Sequence, residues 1–239
     1  MYDSEEKGIR INKYLADSGV CSRREADKRI ADGLVTIDGK VAQLGDRVLP
    51  GMRVVCDGTG VKRSPAANKY IMLNKPVGIV CTCAEDEPDS VIKFIDHDRR
   101  IFPIGRLDKD SEGLLLLTTD GDIVNPILRS EGKHEKEYEV VVDKPLTPEF
   151  IKKMTTGVHI LDTVTLPCKL TKTGECAFTI IITQGLNRQI RRMCEALGYR
   201  VRALRRVRIM CLKLGNLKPG QWRNLTHFEL EALRRELDE

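Results

Sequence analysis

The chain has 239 residues, enough for one well-packed core and a second, smaller module. Its 40 basic and 35 acidic side chains leave a net charge of +5, too small a surplus to identify a nucleic-acid binder by itself. No apolar run approaches the roughly 20 residues that cross a bilayer, so we expect a cytoplasmic protein without membrane contact. The eight cysteines do not group at the spacings of zinc ligands, and no metal site is predicted.

Residues 1–60 predict a small module of their own. Ile11 and Leu15 share one face of a helix that Gly19 ends. Residues 22–25 form a capping box that opens a second helix. The Asp-Gly pair at residues 38–39, between two short apolar segments, is typical of a two-residue hairpin turn.

Two short helices followed by a hairpin, with basic residues on the helices, resemble the S4-type RNA-binding domain. The likeness runs in order from residue 10 to residue 40. It implies phosphate contacts, which supply affinity without reading sequence. Ordinary solvation of the helices would account for the same charges without RNA. The candidate contact residues are Arg10, Lys13, Arg23, Arg24 and Lys28.

Residues 61–68 are small and polar without periodicity, so we predict a linker there and a larger domain from 69 to 239. That domain is expected to begin with a strand at 70–73. A turn containing Pro76 and Gly78 follows, and then a return strand at 79–83. A short helix is predicted near residues 91–95.

Four consecutive leucines, residues 114–117, form an apolar run suited to a buried strand or a helix turn. Residues 105–114 read GRLDKDSEGL. This string resembles the catalytic motif of RNA pseudouridine synthases acting on ribosomal RNA, and the resemblance makes Asp108 the catalytic carboxylate. A solvated loop, or a nuclease metal site built from Asp108, Asp110 and Glu112, would also produce such a charge cluster.

The rest of the chain alternates strand and helix patterns without regular repetition. Helices are predicted at 122–128, from Thr147 to about 157, and at 188–197 with Asn187 as the N-cap. Strands are predicted at 135–142, 177–183 and 199–214, and a capping box at Thr226 opens a last helix. This order favours an α+β fold with a mixed, largely antiparallel sheet.

Residues 185–193, which read GLNRQIRRM, resemble the third motif of the same family. They lie in a block, 186–213, that carries eight Arg and one Lys against one acid. The resemblance places Arg191 opposite Asp108, where a guanidinium would keep a carboxylate charged in an apolar pocket. A surface helix merely decorated with arginines is the alternative.

Tyr138 matches the active-site tyrosine of the family and is expected to stack on a flipped uracil, although an ordinary core tyrosine would show the same pattern. Arg106 resembles the residue that enters the space the base vacates. The other residues expected to contact RNA are Leu107, Lys109, Arg188, Gln189, Ile190 and Arg192.

The resemblance implies an isomerisation in which ribose C1′ leaves uracil N1 and rejoins C5 of the same base. Such a reaction needs neither redox equivalents nor an energy donor, so no cofactor is expected. The likeness favours a monomeric enzyme acting on a uridine of 23S ribosomal RNA, for example in a stem-loop. A 16S or transfer RNA target, and a non-catalytic S4-domain RNA-binding protein, remain as alternatives.

Overall fold

The computed structural model describes residues 8–62, 68–84, 86–128 and 134–238. The chain separates into two compact units, residues 1–68 and residues 69–239. None of the described helices combines the length and the apolar character needed to cross a bilayer.

The described part of the first unit has two helices and six short strands. The helices are α1 (Ile11–Asp17) and α2 (Arg23–Ala31), and the strands are β1 (Ile9–Arg10), β2 (Val35–Ile37), β3 (Lys40–Val41), β4 (Arg47–Val48), β5 (Val54–Cys56) and β6 (Thr59–Val61). Strands β3, β2, β5 and β6 form one antiparallel sheet in that order, and β1 pairs with β4.

Both helices and the hairpin of the first unit are confirmed. The Ser22 hydroxyl accepts a hydrogen bond from the backbone N–H of Glu25 at 3.1 Å, which caps α2. Asp38 and Gly39 have φ values of 48° and 81°, as a two-residue turn between twisted strands requires. Ile11 and Leu15 are buried in the core of this unit.

Nine of the described strands of the second unit form one sheet in the order β13-β14-β10-β15-β9-β7-β17, with β16 on β15 and β8 on β9. Its sheet strands are β7 (Tyr70–Lys75), β8 (Phe102–Ile104), β9 (Glu112–Thr118), β10 (Lys136–Val142), β13 (Lys169–Lys172), β14 (Ala177–Ile182), β15 (Val201–Ile209), β16 (Leu212–Lys213) and β17 (Trp222–Asn224); β11 (His159–Ile160) and β12 (Thr163–Val164) form a separate hairpin. The helices are α3 (Val91–Ile95), α4 (Val124–Leu128), α5 (Pro148–Thr156), α6 (Gln189–Ala196) and α7 (His227–Asp238).

Among the described strands, only β15 and β9 pair in parallel, so the predicted α+β fold with a largely antiparallel sheet is confirmed. The four leucines form the middle of β9, and all four are buried. Leu115 and Leu117 belong to the core on one face of the sheet, and Leu114 and Leu116 belong to the core on the other. A strand covered on both faces is apolar at every position, which explains the uninterrupted run.

Three local predictions were wrong. The single strand predicted at 199–214 is a hairpin, because a turn at residues 210–211 folds β16 back onto β15. Residues 79–83 form no strand; Val80 makes only an isolated bridge to Ser90, because both edges of β7 are already occupied by β9 and β17. Helix α6 is capped by Arg188 in a left-handed conformation with φ of 49°, and not by Asn187. The Asn187 side chain instead accepts a hydrogen bond from Arg192.

Candidate active site

A cleft of about 1040 Å³ opens in the second unit beside the loop that joins β8 to β9. Its walls come from this loop, from β10 and β15, and from the loop that precedes α6. These segments are far apart in the chain. They meet at the cleft because β10, β15 and β9 are successive neighbours in the sheet. Of the predicted site residues, the cleft is lined by Arg106, Leu107, Asp108, Tyr138, Arg188, Gln189 and Ile190.

Asp108 lies on a tight loop that is held by backbone hydrogen bonds. Its carbonyl oxygen accepts from the N–H of Ser111 at 3.1 Å, and the carbonyl of Lys109 accepts from the N–H of Gly78 at 2.7 Å. The N–H of Leu107 donates to the sulfur of Cys81 at 3.3 Å. The Asp108 side chain is 30% exposed, so its carboxylate is accessible from the cleft.

Arg191 reaches the Asp108 loop from α6. Its Nη2 donates to the carbonyl oxygen of Asp110 at 2.8 Å and to the Ser111 hydroxyl at 3.1 Å, and its Nε lies 3.9 Å from the Asp108 carboxylate. The side chain is largely buried. One guanidinium therefore fixes the loop backbone and places positive charge beside Asp108. The structure brings together the two residues that the sequence motifs suggested.

Arg188 and Asp110 form a second pair at the mouth of the site. Two guanidinium nitrogens of Arg188 donate to the two carboxylate oxygens of Asp110, each at 3.2 Å, and Arg188 also lies 3.5 Å from the Asp108 carboxylate. Burial raises the pKa of Asp110, but the hydrogen bonds from Arg188 and the charge of Arg191 outweigh it and leave that pKa lowered. This pairing was not predicted, since no local pattern links residues 78 positions apart.

Tyr138 lies in β10, opposite Arg206 of β15 and Ile180 of β14. It is only 8% exposed and also belongs to the hydrophobic core, so it packs as a core residue while lining the cleft. The guanidinium carbon of Arg206 lies 6.0 Å from the centre of its ring. Arg206 lines the cleft as well and was not singled out from the sequence.

The other predicted contact residues differ in exposure. Gln189 and Ile190 are buried, and the Gln189 amide oxygen accepts from the N–H of Leu186. Lys109 does not line the cleft; it pairs with Asp89 at 2.9 Å. Arg192 donates to the backbone and side chain of Asn187.

Lys75 is fully buried at the end of β7 and holds the turn that follows it. Its Nζ donates to the carbonyl oxygens of Pro76 at 2.9 Å and Ile79 at 2.8 Å. Burial lowers the pKa of Lys75, which nearby acids counter only in part. The turn predicted at Pro76 and Gly78 is therefore present, and the buried Lys75 side chain stabilises it.

In the first unit, four of the five candidate phosphate contacts are exposed, and Lys13 is half-buried and pairs with Asp17 at 2.6 Å. The exposed residues are Arg10, Arg23, Arg24 and Lys28. Three of them lie on α2, on the side away from the buried Ala26 and Ile30.

The class of protein follows from the fold, the site and the family comparison together. Residues 69–196 match the model of the RNA pseudouridylate synthase family, and residues 9–54 match that of the S4 domain. The chain belongs to the RNA pseudouridylate synthase family and carries an S4 RNA-binding domain. It is an enzyme, an RNA pseudouridine synthase, as the sequence motifs predicted.

Two curated relatives and one solved structure place the chain within this family. The dual-specificity RNA pseudouridine synthase RluF of Escherichia coli (strain K12) is 52% identical over 94% of this chain and 78% of its own. The ribosomal large subunit pseudouridine synthase B of Bacillus subtilis (strain 168) is 35% identical over 94% and 95%. A crystal structure of a pseudouridylate synthase superposes with a TM-score of 0.69 at 29% identity, covering 95% of this chain and all of the other. The predicted likeness to the RNA pseudouridine synthases is confirmed.

Proposed function

We propose that this enzyme converts a uridine of 23S ribosomal RNA to pseudouridine and that the Asp108 carboxylate carries the reaction. One observation supports the role of Asp108 above the others. Its carboxylate is open to the cleft on one side and lies 3.9 Å from the buried Arg191 guanidinium on the other. The Arg191 guanidinium thus places positive charge beside the carboxylate that the reaction needs to act on the ribose or the base.

The surrounding residues suit a uridine that has been flipped out of its helix. Tyr138 stacks on the base, which recovers roughly 1–3 kcal/mol against an unstacking cost of a few kcal/mol. Ile190 forms an apolar wall, and Leu107 and Gln189 complete the pocket. Arg106 enters the space that the base leaves in the helix.

Affinity for RNA comes from cations outside the pocket. Arg188, Arg192 and Lys109 contact backbone phosphates around the flipped nucleotide, and the basic residues of the S4 domain contact phosphates elsewhere on the RNA. We place the boundary of the S4 domain at residue 60 and a linker at 61–68. The division of the chain after residue 68 and the family match beginning at 69 support a catalytic domain that starts at 69. Strand β6 runs to Val61, so the first unit extends at least one residue past the proposed S4 boundary.

The target is proposed from the names of the relatives. The B. subtilis relative is a large-subunit enzyme, which supports 23S ribosomal RNA, whereas RluF is named as dual-specificity. A second RNA class, transfer RNA or 16S ribosomal RNA, is therefore the alternative. Mapping pseudouridines in total RNA from cells with and without this protein decides between them. Loss of modification only outside 23S RNA would reject the proposed target. We propose further that the enzyme acts as a monomer.

The role of Asp108 is tested with Asp108→Asn. We expect this variant to release no tritium from RNA labelled at C5 of uridine while its RNA affinity stays within a few-fold. Asp162→Asn is the matched control, because Asp162 is exposed and has φ of 58°, a conformation that asparagine adopts readily. If Asp108→Asn turned over RNA as fast as Asp162→Asn does, Asp108 would not be the catalytic carboxylate.

A further inference from the structure

Arg206 differs from the arginines on either side of it in β15. Arg205 lies within ion-pair distance of Glu112 and Glu139, and Arg208 pairs with Glu135 and Glu137. In the described part of the chain Arg206 has no such acid. Its Nε donates to the carbonyl oxygen of Leu114 at 2.7 Å, its Nη2 has no hydrogen-bond partner, and the residue is only 4% exposed.

A second cation without an acid lies in the same cleft. Lys136 precedes Tyr138 by two residues on β10, and its Nζ donates only to the carbonyl oxygen of His134 at 3.3 Å among the described residues. Burial lowers the pKa of Lys136, and the charge of Arg206 lowers it further. The two side chains therefore repel each other in a site that is partly shielded from water.

Buried charge without a partner is costly, so such a pair indicates that a negative group enters the cleft. A backbone phosphate fits poorly, because Arg206 is almost wholly enclosed and lies against the Tyr138 ring. Tyr138 is the residue proposed to stack on the base. The group within reach of these cations is thus the uracil ring, which is neutral in RNA and becomes negative only during the reaction.

We propose that Arg206, assisted by Lys136, stabilises the negative charge that uracil carries while it is detached from the ribose. This inference rests on the proposed function, because it takes the base to lie on Tyr138. Positive charge placed in advance where negative charge develops, and shielded from water, accelerates a reaction without tightening substrate binding.

The electrons balance without any further reactant. When the bond from C1′ to N1 breaks, its electron pair stays on the ring and spreads over N1 and the two carbonyl oxygens. An electron pair of the ring then forms the new bond from C5 to C1′, the C5 proton leaves to solvent, and N1 takes up a proton. Addition of the carboxylate to the ring would likewise put negative charge on a carbonyl oxygen, so the need for stabilisation does not depend on the route.

The test compares Arg206→Gln with Arg206→Lys, which keeps the charge. Arg202→Gln is the control, since Arg202 is exposed on the same strand and does not line the cleft. We expect Arg206→Gln to lower the single-turnover rate about 100-fold or more while RNA affinity, measured in an Asp108→Asn background, is unchanged. Arg206→Lys should recover most of the rate, and Arg202→Gln should match the unaltered enzyme.

A substrate with a more stable ring anion separates this role from a structural one. In 6-azauridine an additional ring nitrogen withdraws electrons and stabilises the ring anion. The fold-reduction in single-turnover rate caused by Arg206→Gln should therefore be at least about tenfold smaller on RNA that contains 6-azauridine than on RNA that contains uridine. The loss of rate in Lys136→Met should likewise be smaller on 6-azauridine RNA than on uridine RNA. This variant is measured in place of Arg206→Gln if Arg206→Gln does not fold. An equal deficit on both RNAs, or a loss of affinity that accounts for the loss of rate, would overturn the inference. An unaltered enzyme inactive on every RNA would instead reject the proposed function, and this inference with it.

Discussion

Gly113 has no room for a side chain, because the backbone of Arg206 runs directly beside it. A Cβ atom built on Gly113 would lie 2.5 Å from the backbone nitrogen of Arg206 and closer still to its carbonyl oxygen. The contact occurs where β9 and β15 pair in parallel, and Gly113 has φ of +109°. The glycine of the catalytic motif thus sets how closely the strand after Asp108 approaches the strand that carries Arg206.

Gly113→Ala should therefore separate the two strands or prevent folding. We expect the free energy of unfolding to fall by about 3 kcal/mol or more, since a strained φ alone costs about 1–3 kcal/mol and the overlap adds to it. Gly78→Ala is the control for the strained φ alone, because Gly78 has φ of +97° but no atom close enough to overlap with a Cβ. The difference between the two variants gives the cost of the overlap at Gly113. Urea unfolding of both variants measures the difference, and equal destabilisation would show that the close approach to Arg206 is relaxed at little cost.

Arg191→Gln should disable the site without unfolding the protein. The variant loses the positive charge beside Asp108 and the hydrogen bonds to the Asp110 carbonyl and the Ser111 hydroxyl. We expect the single-turnover rate to fall about 100-fold or more, with RNA affinity nearly unchanged. Arg202→Gln, on exposed β15 surface, should turn over normally. A rate within about threefold of the unaltered enzyme would mean that Arg191 only braces the loop.

Removing the Arg23 and Lys28 side chains together should weaken RNA binding without changing the rate at which bound RNA is converted. Each phosphate that the protein no longer neutralises reduces the slope of log affinity against log salt by about one. The double variant Arg23→Ala with Lys28→Ala is compared with Lys152→Ala with Lys172→Ala, which removes the same charge from α5 and β13. Fluorescence anisotropy at several salt concentrations gives both slopes. An unchanged slope in the first double variant would show that α2 does not touch RNA.

Glu229 should make the stability of the second unit depend on pH. Its carboxylate accepts two hydrogen bonds from Arg223 at 2.7 Å and one from the N–H of Thr226 at 2.8 Å. The hydrogen bonds from Arg223, together with those from Thr226, outweigh burial and lower the pKa of Glu229 from 4.5 to about 2. A lowered pKa stabilises the folded state above the unfolded pKa, and this stabilisation is lost as the pH falls from 4.5 towards 2.

Glu229→Gln should accordingly cost about 1–2 kcal/mol of unfolding free energy at neutral pH, and the difference from the unaltered protein should shrink in acid. Urea unfolding at neutral and acidic pH measures it. Glu231→Gln, on the same helix with a more exposed carboxylate, is the control. A difference that stays constant with pH would show that Glu229 acts through packing and not through its charge.

Short-range patterns in the sequence determined much of the local structure. The caps at Ser22, Thr147 and Thr226 and the hairpin at residues 38–39 each depend on a few neighbouring residues, and all are present. Asp108 was singled out differently, by the resemblance of residues 105–114 to a motif of a known family. Interactions within one turn of chain leave a local signature, so they can be read without knowledge of the fold.

Only the tertiary structure decided which distant residues surround that acid. The bond between Arg188 and Asp110, the absence of a strand at residues 79–83 and the place of Arg206 beneath Tyr138 all depend on the order of strands in one sheet. The order of the strands depends on burying apolar side chains on both faces of the sheet, in two separate hydrophobic cores. That requirement involves the whole second unit. An arginine in a basic block therefore looks the same in sequence whether it faces solvent, pairs with two acids as Arg208 does, or, like Arg206, lines a cleft with no ion-paired acid among the described residues.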